Sequence, residues 1–511
     1  MTDRRAGPRA RHPGSLVLAT IVLGSALRLL LAATIGMSVD ESYETTIART
    51  LSLGYYDHPP LSFWIPGVLA RVAGTERGVV LRLPFIALFA GTTWLTYRIG
   101  ARAFGERAGA YGAILLNLAP VFAIAVGGWV LPDGPLDFAL LAAVLCLVHV
   151  LLGRTRAPIR WWVGAGAAAG VAALSKYHAV FLPAGVALYL LGRGEVRRWL
   201  RTPGPWIAGV LAALGALPAV VWNAHHGWAS FRFQLGRGAG EGGVHPVALL
   251  ESLGGQAGYL LPWLWVPLVW VLLSALRRGP RDAPRWLLAS LAIPPIALFT
   301  IVSSGGKPGL PHWPMPGYLM LFPLLGAEVD ERLARGDRRV RRWLAASAAG
   351  FGVVLALAWS QAATGWMARA FPALFRQGDP TLEVVNWSDA RPAILALAGD
   401  GARQRFVAAT SWIDAAKAGY ALGPGTQVLC LCRSPHHFGY LHDQREYLGR
   451  DAILLDQTRG PSDAPRRYAP YFAGIDALGT VTVRRAGHPA LDIAVFVGRR
   501  FRAPVPDDLP R

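Results

Sequence analysis

Charged residues are scarce in this 511-residue sequence, at 16%, whereas they make up about a quarter of ordinary soluble proteins. Cysteine is scarcer still, and its three residues are too few for a disulfide framework. We expect Cys430 and Cys432 to be free thiols on one side of a strand, because a bridge between them would be strained. Hydrophobic residues make up 53% of the chain, and mean hydropathy is +0.35. This composition argues against a soluble enzyme, a disordered protein and a coiled coil.

Long apolar runs predict an α-helical polytopic membrane protein. A run of about 20 apolar residues makes a helix long enough to cross a bilayer. Arg28 interrupts the first run, and no small-residue cleavage site stands out, so we interpret that run as an anchor and not a signal peptide. About eleven spans are predicted, at residues 15–35, 79–98, 108–127, 134–152, 161–175, 178–192, 205–222, 255–276, 284–303, 313–328 and 343–363.

The net charge of +20 would suit a nucleic-acid ligand, but its distribution along the chain does not. Basic residues are concentrated in alternate loops between the predicted spans, at 4–11, 98–107, 154–160, 193–201, 277–285 and 332–342. By the positive-inside rule these loops are cytoplasmic. We therefore predict a multi-pass protein of the cell inner membrane, with a cytoplasmic N-terminus and membrane lipids, not nucleic acid, as its surroundings.

The sequence changes character after about residue 365. Apolar runs shorten to strand length at 405–410, 427–432, 480–484 and 491–498, with helical stretches at 390–399 and 412–422. This alternation predicts a small α/β domain. We expect residues 1–364 to form the membrane domain, and residues 365–511 to form an extracytoplasmic (periplasmic) domain that selects the acceptor or covers the cavity. Its conspicuous polar residues, Asp414, Lys417, His436 and His437, are interpreted as surface or packing residues.

Unusual polar residues are concentrated in the predicted non-cytoplasmic loops. An ionisable group at membrane depth costs on the order of 3 kcal/mol, so such groups usually bind or react. Lys176 is the sharpest case, because it lies between two apolar runs with no acidic neighbour in sequence. The full set of candidates is Asp40, Glu41, Tyr56, Asp57, His58, Asp133, Lys176, Tyr177, Lys307 and His312.

Each candidate also has a structural interpretation. Asp40 and Glu41 could cap a helix and favour its dipole, and Asp133 could cap the helix that begins beside it. Two prolines after His58 could make that turn merely rigid. His312 stands beside a tryptophan and could be an interfacial residue.

Motifs for metal or nucleotide binding are absent from the sequence. It contains no HExxH or CxxC motif, and no glycine-rich phosphate loop of the P-loop type. Asp57 with a distant histidine is the one arrangement that could hold a divalent cation, and no other cofactor is predicted. An activated substrate is therefore expected to arrive through the bilayer.

The motifs taken together resemble a known family. An acidic pair follows the first span, and YYDHPPL, PDGPLDF, LSKYHAVFL and KPGLPHWPMPGY come after it in that order. This combination resembles the bacterial members of glycosyltransferase family 39, over roughly residues 15–330. The family has the GT-C fold and belongs with the protein O-mannosyltransferases and the aminoarabinose lipid A transferase.

The resemblance implies transfer of a sugar from a polyprenyl-phosphate-linked donor to a lipid, glycan or protein acceptor outside the cytoplasm. It implies Asp40 as the catalytic base, with Glu41 beside it and Asp133 as a second carboxylate. The aminoarabinose transferases have Glu-Lys-Pro-Pro where this chain has Asp57-His58-Pro59-Pro60. A histidine therefore replaces the cation that faces the lipid phosphate, and it is charged only part of the time near neutral pH. That departure weakens the case for aminoarabinose or lipid A as substrates.

Charge neutralisation of the donor phosphate is therefore expected from Lys176, Lys307 or Arg82, together with His58. Asp57, Tyr56, Tyr177 and His312 are the expected substrate-binding residues. An acceptor must lose a proton as it attacks, which requires one carboxylate, whereas a lipid phosphate leaves without a general acid. These considerations predict a single displacement with inversion.

Two other functions remain open from the sequence. A polyprenyl-linked sugar flippase or other transporter would also be polytopic, although transporters tend to have internal repeats and broken helices that are not clear here. A non-catalytic assembly or sensory protein could use its outer domain for binding.

Overall fold

The computed structural model describes residues 12–153, 155–238, 243, 245–306, 309–399, 401–458 and 462–502. In its first part the helices are α1 (Pro13–Thr34), α2 (Val39–Ile47), α3 (Leu61–Ala73), α4 (Gly78–Phe104), α5 (Glu106–Leu116), α6 (Asp133–Leu151), α7 (Pro158–Ser175), α8 (Phe181–Gly192), α9 (Pro203–His225), α10 (Ala229–Gly238), α11 (Pro246–Leu260), α12 (Pro262–Arg278), α13 (Ala283–Ser304), α14 (Met315–Leu319), α15 (Phe322–Ala334) and α16 (Arg338–Thr364).

The remaining elements are shorter and mixed. Short helices dominate the segment between α16 and the first strand, including a 3₁₀ turn at Pro380–Val384. The elements are α17 (Trp366–Ala370), α18 (Arg391–Ala398), β1 (Phe406–Ala409), α19 (Trp412–Leu422), β2 (Val428–Cys430), β3 (Ala452–Thr458), α20 (Ala464–Tyr468), β4 (Phe472–Arg485) and β5 (His488–Phe501).

The predicted helical membrane protein is confirmed, although the number of spans stays a prediction. In the described part of the chain, six helices are long and apolar enough to cross a membrane: α1, α4, α6, α9, α13 and α16. A seventh span results if α11 and the helical segment from Pro262 to Arg281, which meet at a bend of 109°, are counted as one. Several of the eleven predicted runs correspond to shorter apolar helices, such as the segment Tyr177–Gly192.

Close backbone approach holds neighbouring helices of this bundle together. A Cβ added to Gly109 on α5 would lie 2.3 Å from the Tyr97 carbonyl oxygen on α4, so only glycine fits there. Likewise, a Cβ on Gly215 of α9 would lie 2.3 Å from the Cα of Gly170 on α7. Small residues at such contacts are typical of membrane helices, because lipid supplies no hydrophobic drive for helix association.

The C-terminal part contains the predicted α/β structure, built on one five-stranded sheet of order β2-β1-β3-β5-β4. β1 pairs in parallel with β2 and β3, and β5 pairs antiparallel with β3 and β4. The four predicted strands and both predicted helices are present, whereas β3 (AILLDQT) was not predicted. The sheet is buried on both sides by separate apolar clusters, one of which also contains Tyr43, Ile47 and Phe63 of the helical part.

Candidate active site

Asp40 lies in the first turn of α2, the short helix that follows the first long span. The side chain is exposed, and among the described residues it has no hydrogen-bond or ion-pair partner. Burial of the surrounding region, together with the negative charges of Glu383, Asp57 and Glu41, raises the pKa of Asp40 to about 6. An open carboxylate whose pKa lies near the working pH has the properties of a general base.

The carboxylate of Glu41, the residue after Asp40, is fully engaged in hydrogen bonds and an ion pair. Its carboxylate accepts a hydrogen bond from the Ser38 backbone at 2.9 Å, while the Ser38 hydroxyl accepts from the Glu41 backbone, which forms a capping box at the start of α2. The same carboxylate pairs with Arg82 at 2.6 and 2.7 Å. Arg82 also donates to backbone carbonyls before α2, including Ile35 at 2.9 Å. These contacts give both residues a structural role, so they do not support Glu41 in catalysis or Arg82 in phosphate binding.

Asp133 and Lys176 form a buried ion pair. The Lys176 ammonium donates to both carboxylate oxygens of Asp133 at 2.8 Å. Asp133 begins α6, but its side chain turns to Lys176 and makes no capping hydrogen bond, so the capping interpretation is wrong. Lys176 directly follows α7, where its backbone is extended. The pair therefore joins the start of α6 to the end of α7. It also holds the positive charge of Lys176 near Asp40, and this charge lowers the pKa of Asp40.

The Asp57–His58 turn is the third part of the site, and a loop of the C-terminal part covers it. Asp57 accepts hydrogen bonds from the Tyr43 hydroxyl and interacts with Nδ1 of His436. Burial opposes ionisation, but the contacts with His436 hold the pKa of Asp57 below its ordinary value. His436 has a positive φ of 52°, which is rare for a residue with a side chain and clusters at functional sites.

His437 also takes part in this contact. Its Nδ1 accepts a hydrogen bond from the Tyr56 backbone at 3.1 Å, and its own backbone donates to the Tyr43 hydroxyl at 2.9 Å. The Tyr56 ring stacks with Tyr440 at 5.8 Å between centroids. Burial lowers the pKa of His437 to about 3, so its ring is neutral and can accept this bond. The interpretation of His436 and His437 as mere surface or packing residues is therefore wrong.

Two further histidines are neutral for the same reason. Burial and the charge of Lys176 lower the pKa of His58 to about 3 and that of His312 to about 4. His58 therefore cannot replace a lysine as a cation. Its buried Nδ1 has no hydrogen-bond partner in the described part of the chain. An unpaired buried polar atom is costly unless a ligand or water meets it, so His58 is suited to a hydrogen bond with substrate.

Arg237 on α10 is a cation that the sequence-based assignment missed. Its guanidinium lies 5.3 Å from the Phe233 ring centroid and 4.9 Å from that of Trp313, and it makes no ion pair with any described residue. It is close enough to Asp40, Asp57, His58 and His312 for its charge to act on them. Only its position in a predicted non-cytoplasmic loop of mostly polar and glycine residues could have signalled it.

Tyr177 and Lys307 complete the set of predicted residues. The Tyr177 hydroxyl is hydrogen bonded to Ser230 at 2.7 Å and to the Asn223 amide at 3.4 Å, beside the turn that contains Asp57. Lys307 lies outside the described residues. The predicted divalent-cation site consists of Asp57 and a distant histidine. Asp57 contacts one histidine and one tyrosine, and the described residues contain no group of three side chains that could bind a metal ion.

The structure therefore brings Asp40, Asp57, His58, Asp133, Lys176 and His312 together and adds Arg237. Asp40 contributes an exposed carboxylate without a partner among the described residues, with a buried lysine and an arginine nearby. This arrangement can accept a proton from one reactant and stabilise negative charge on another.

Comparison with known proteins agrees with this chemistry. Residues 57–222 match the family described as dolichyl-phosphate-mannose-protein mannosyltransferase. The chain is 26% identical over 294 residues to the lipid A galacturonosyltransferase RgtD of Rhizobium johnstonii, covering 55% of this chain and 58% of that protein. It is also 26% identical over 338 residues to the lipopolysaccharide core galacturonosyltransferase RgtA of the same organism, covering 63% and 64%. The chain thus spans about three fifths of the curated relatives it matches.

Solved structures extend the comparison to almost the whole chain. The structure of ArnT from Cupriavidus metallidurans bound to undecaprenyl phosphate matches with a TM-score of 0.65 and 16% identity, over 94% of this chain and 98% of that one. The apo oligosaccharyltransferase of Archaeoglobus fulgidus matches with a TM-score of 0.53 and 12% identity, over 88% and 70%. The chain is a membrane protein with the GT-C glycosyltransferase fold. This confirms the resemblance drawn from its motifs, and the relatives do not favour the flippase alternative.

Proposed function

We propose that this GT-C protein transfers a sugar from a polyprenyl-phosphate-linked donor to an acceptor outside the cytoplasm, by one inverting displacement. The observation that carries the proposal is the open carboxylate of Asp40, which lacks a partner among the described residues and lies near the buried Asp133–Lys176 pair. The printed functions of the relatives, which are galacturonosyltransferases acting on lipid A or lipopolysaccharide core, support the same reaction class.

Asp40 acts as the base in this proposal. As the acceptor oxygen attacks the anomeric carbon, its proton passes to the Asp40 carboxylate. The bond between the anomeric carbon and the phosphate oxygen breaks on the opposite side, and its electron pair stays with the polyprenyl phosphate. Because a phosphate is a competent leaving group, no residue needs to protonate it, and one base is sufficient for the reaction.

Positive charge on the leaving side stabilises the phosphate. Lys176 supplies one cation, which the Asp133 carboxylate holds in place. Arg237 supplies a second, and neutral His58 offers a hydrogen bond from a ring atom that is otherwise unpaired among the described residues. Fixed donors aimed at developing negative charge are commonly the largest single contribution to catalysis.

The sugar and acceptor follow from the relatives rather than from the site. Galacturonic acid is the first donor sugar to test, and lipid A or lipopolysaccharide core is the first acceptor. Although a neutral histidine at position 58 replaces a cation, Arg237 supplies a cation at the same site, so lipid A is again a candidate acceptor.

The location and domain division belong to the same proposal. Charge in alternate loops supports the inner membrane, a cytoplasmic N-terminus and a periplasmic sheet domain. The last long apolar helix ends at Thr364, which supports a membrane domain of residues 1–364 and an outer domain of 365–511.

The test is transfer by the purified full chain in lipid nanodiscs. Undecaprenyl-phosphate-linked galacturonic acid, aminoarabinose and mannose are offered with lipopolysaccharide from a deletion strain, and products are identified by mass spectrometry and anomeric NMR. We expect one donor to give an inverted product. Asp40→Asn should abolish transfer while retaining binding of undecaprenyl phosphate. A retained anomeric configuration, or normal transfer by Asp40→Asn, would defeat the one-base mechanism.

A further inference from the structure

The 3₁₀ turn Pro380–Val384 from the outer domain lies directly on the loop that leads into α2. A Cβ added to Gly36 would lie 2.5 Å from the Val384 carbonyl oxygen and 2.9 Å from the Asn386 nitrogen. The two backbones therefore touch at this point, and there is no room for a side chain between them. This contact lies four residues before Asp40.

A buried lysine fixes the contact. The ammonium of Lys417, on α19, donates to the carbonyls of Met37 at 2.8 Å, Glu383 at 3.0 Å and Val385 at 2.9 Å. Lys417 is only 4% exposed, so these three carbonyls take the place of water around it. The backbone of Glu383 is thereby held in a set position relative to the start of the helix that carries Asp40.

The side chain of Glu383 is not used in that contact. It is exposed, and no described residue pairs with its carboxylate. Its charge is the largest electrostatic influence that raises the pKa of Asp40. Tyr259, on α11, is close enough to both carboxylates for their charges to act on it. Glu383 and Asp40 are therefore two exposed carboxylates that lie near one another, one from each part of the chain.

We propose that Glu383 is an acceptor-binding residue, which the C-terminal part places near Asp40 so that its exposed carboxylate accepts a hydrogen bond from the acceptor. This inference rests on the proposed transfer reaction. A carboxylate at this position favours an acceptor group that is rich in hydroxyls and neutral or cationic. It repels an acceptor group that bears phosphate or carboxylate. The acceptor class is thus an uncharged sugar or an amino sugar at the point of attack.

Because the test uses pH, the charged surroundings of Asp40 matter. The titratable groups that act on it come from six elements of the fold. They are Glu41 and Glu44 on α2, Asp57 in its turn, Lys176 after α7, Arg237 on α10, Tyr259 on α11 and Glu383. Substitution of Glu383 removes one negative charge from this set and leaves the others in place.

The experiment compares Glu383→Gln with Glu383→Asp and with Asp389→Asn, a control that removes an acidic group from the next 3₁₀ turn. The full chain in nanodiscs transfers sugar to lipopolysaccharide, and the readouts are the pH profile and the KM for each substrate. For Glu383→Gln we expect the acidic limb to move by about half a pH unit to lower pH. We expect the KM for lipopolysaccharide to rise by about threefold to tenfold, because the glutamine amide oxygen still accepts the hydrogen bond but without the charge that strengthens it.

The variants separate the effects. Glu383→Asp keeps the charge and shortens the side chain, so it should raise the KM for lipopolysaccharide while leaving the acidic limb near that of the unaltered protein. Asp389→Asn should change neither, and the KM for donor should stay constant throughout. An unaltered pH profile and KM in Glu383→Gln would overturn the inference. Normal transfer by Asp40→Asn would instead overturn the proposed reaction, so the two failures are distinguishable.

Discussion

The ammonium of Lys176 lies 2.8 Å from each carboxylate oxygen of Asp133, and both side chains are almost completely buried. The ion pair links the start of α6 to the end of α7, two helices whose faces form much of the core of the bundle. A buried cation is costly alone, and the carboxylate makes it tolerable in the resting protein. A donor phosphate can then share a charge that is already in position.

Breaking this pair should destabilise the fold as well as remove activity. In Lys176→Met the Asp133 carboxylate is left buried without its partner, which typically costs about 3–5 kcal/mol of unfolding free energy. We expect a large fall in thermal stability in detergent, and part of it should return in the double variant Lys176→Met with Asp133→Asn.

Arg107→Met is a suitable control for that measurement. Arg107 pairs with Asp330 at 3.0 Å, but its side chain is 60% exposed, so its loss should cost at most about 1 kcal/mol. Equal destabilisation by the two single variants would contradict the assignment of Lys176 to a buried pair.

Glu41 offers a different test, because its contacts are structural. Glu41→Gln should weaken the pairing with Arg82 and the capping box, and unfolding free energy should fall by about 3 kcal/mol. Protein that remains folded should bind undecaprenyl phosphate normally. Chemical denaturation and a lipid-binding assay measure the two quantities. A variant with unaltered stability that had lost only turnover would return Glu41 to the catalytic residues.

The different contacts of Asp40 and Glu41 illustrate which parts of the site can be predicted from the sequence. Ser38 followed three residues later by Glu41 is the signature of a capping box, so the structural role of Glu41 was readable from the sequence. Asp40 has no such partner among the described residues, which supports its proposed role as the base. The motif order and the loops that carry Asp57, Asp133 and Lys176 were also sufficient to predict the fold and the clustering of these residues.

The contribution of the C-terminal part was not readable from the sequence in that way. His436 meets Asp57 across 379 positions of sequence, and Lys417 meets Met37 across 380. No local pattern specifies contacts at such separations, since they depend on how the sheet domain docks on the helices. The sequence predicts surface or packing roles for both residues, because no catalytic signature is readable around them. Only the docked structure reveals their partners.

Acid should inactivate the enzyme through Asp40. Burial and neighbouring negative charge raise its pKa to about 6, and only the ionised form can accept a proton. Transfer should therefore be constant above this value and fall as pH decreases through it. A pH profile of kcat/KM under conditions where the protein stays folded measures the limb. Activity that persisted undiminished well below pH 6 would exclude Asp40 as the base.

The same shift has a consequence for stability. Because the pKa in the folded state lies above the ordinary value of an aspartate, ionised Asp40 destabilises the fold. That cost is absent below the ordinary pKa, grows as pH rises from that value to about 6, and is constant above it. Asp40→Asn should therefore be at least as stable as the unaltered protein at neutral pH, and thermal unfolding would check this. A less stable variant would indicate that the carboxylate has a structural partner.

Tyr43 connects Asp57 with the loop that contains His436 and His437. Its buried hydroxyl donates to Asp57 and accepts from the His437 backbone. Tyr43→Phe keeps the ring and leaves both partners unsatisfied, which should cost about 1–3 kcal/mol. We expect lower thermal stability and faster proteolysis of the 433–440 loop.

Tyr420→Phe is the matched control for Tyr43→Phe. The Tyr420 hydroxyl donates to the Glu76 carbonyl at 3.1 Å, on another part of the contact between the helical and C-terminal parts. Tyr420→Phe should lower thermal stability less than Tyr43→Phe does, and it should leave proteolysis of the 433–440 loop unchanged. Identical behaviour of the two variants would indicate that Tyr43 has no particular connection with that loop.

Lys417 should act on the reaction without touching substrate. Lys417→Met has a similar length but cannot donate to the carbonyls of Met37, Glu383 and Val385, so the loop before Asp40 is no longer held. Displacement of a reacting group by about 1 Å can lower the rate about a hundredfold. We expect kcat to fall by about tenfold to a hundredfold, with little change in donor KM, and Lys417→Arg should recover part of the loss because it retains donors. A merely structural lysine would lower the amount of folded protein without lowering kcat per folded molecule. Titration with a tight-binding donor analogue counts the active molecules, so that kcat can be given per folded molecule. An unaltered kcat in Lys417→Met would show that the C-terminal part does not position Asp40.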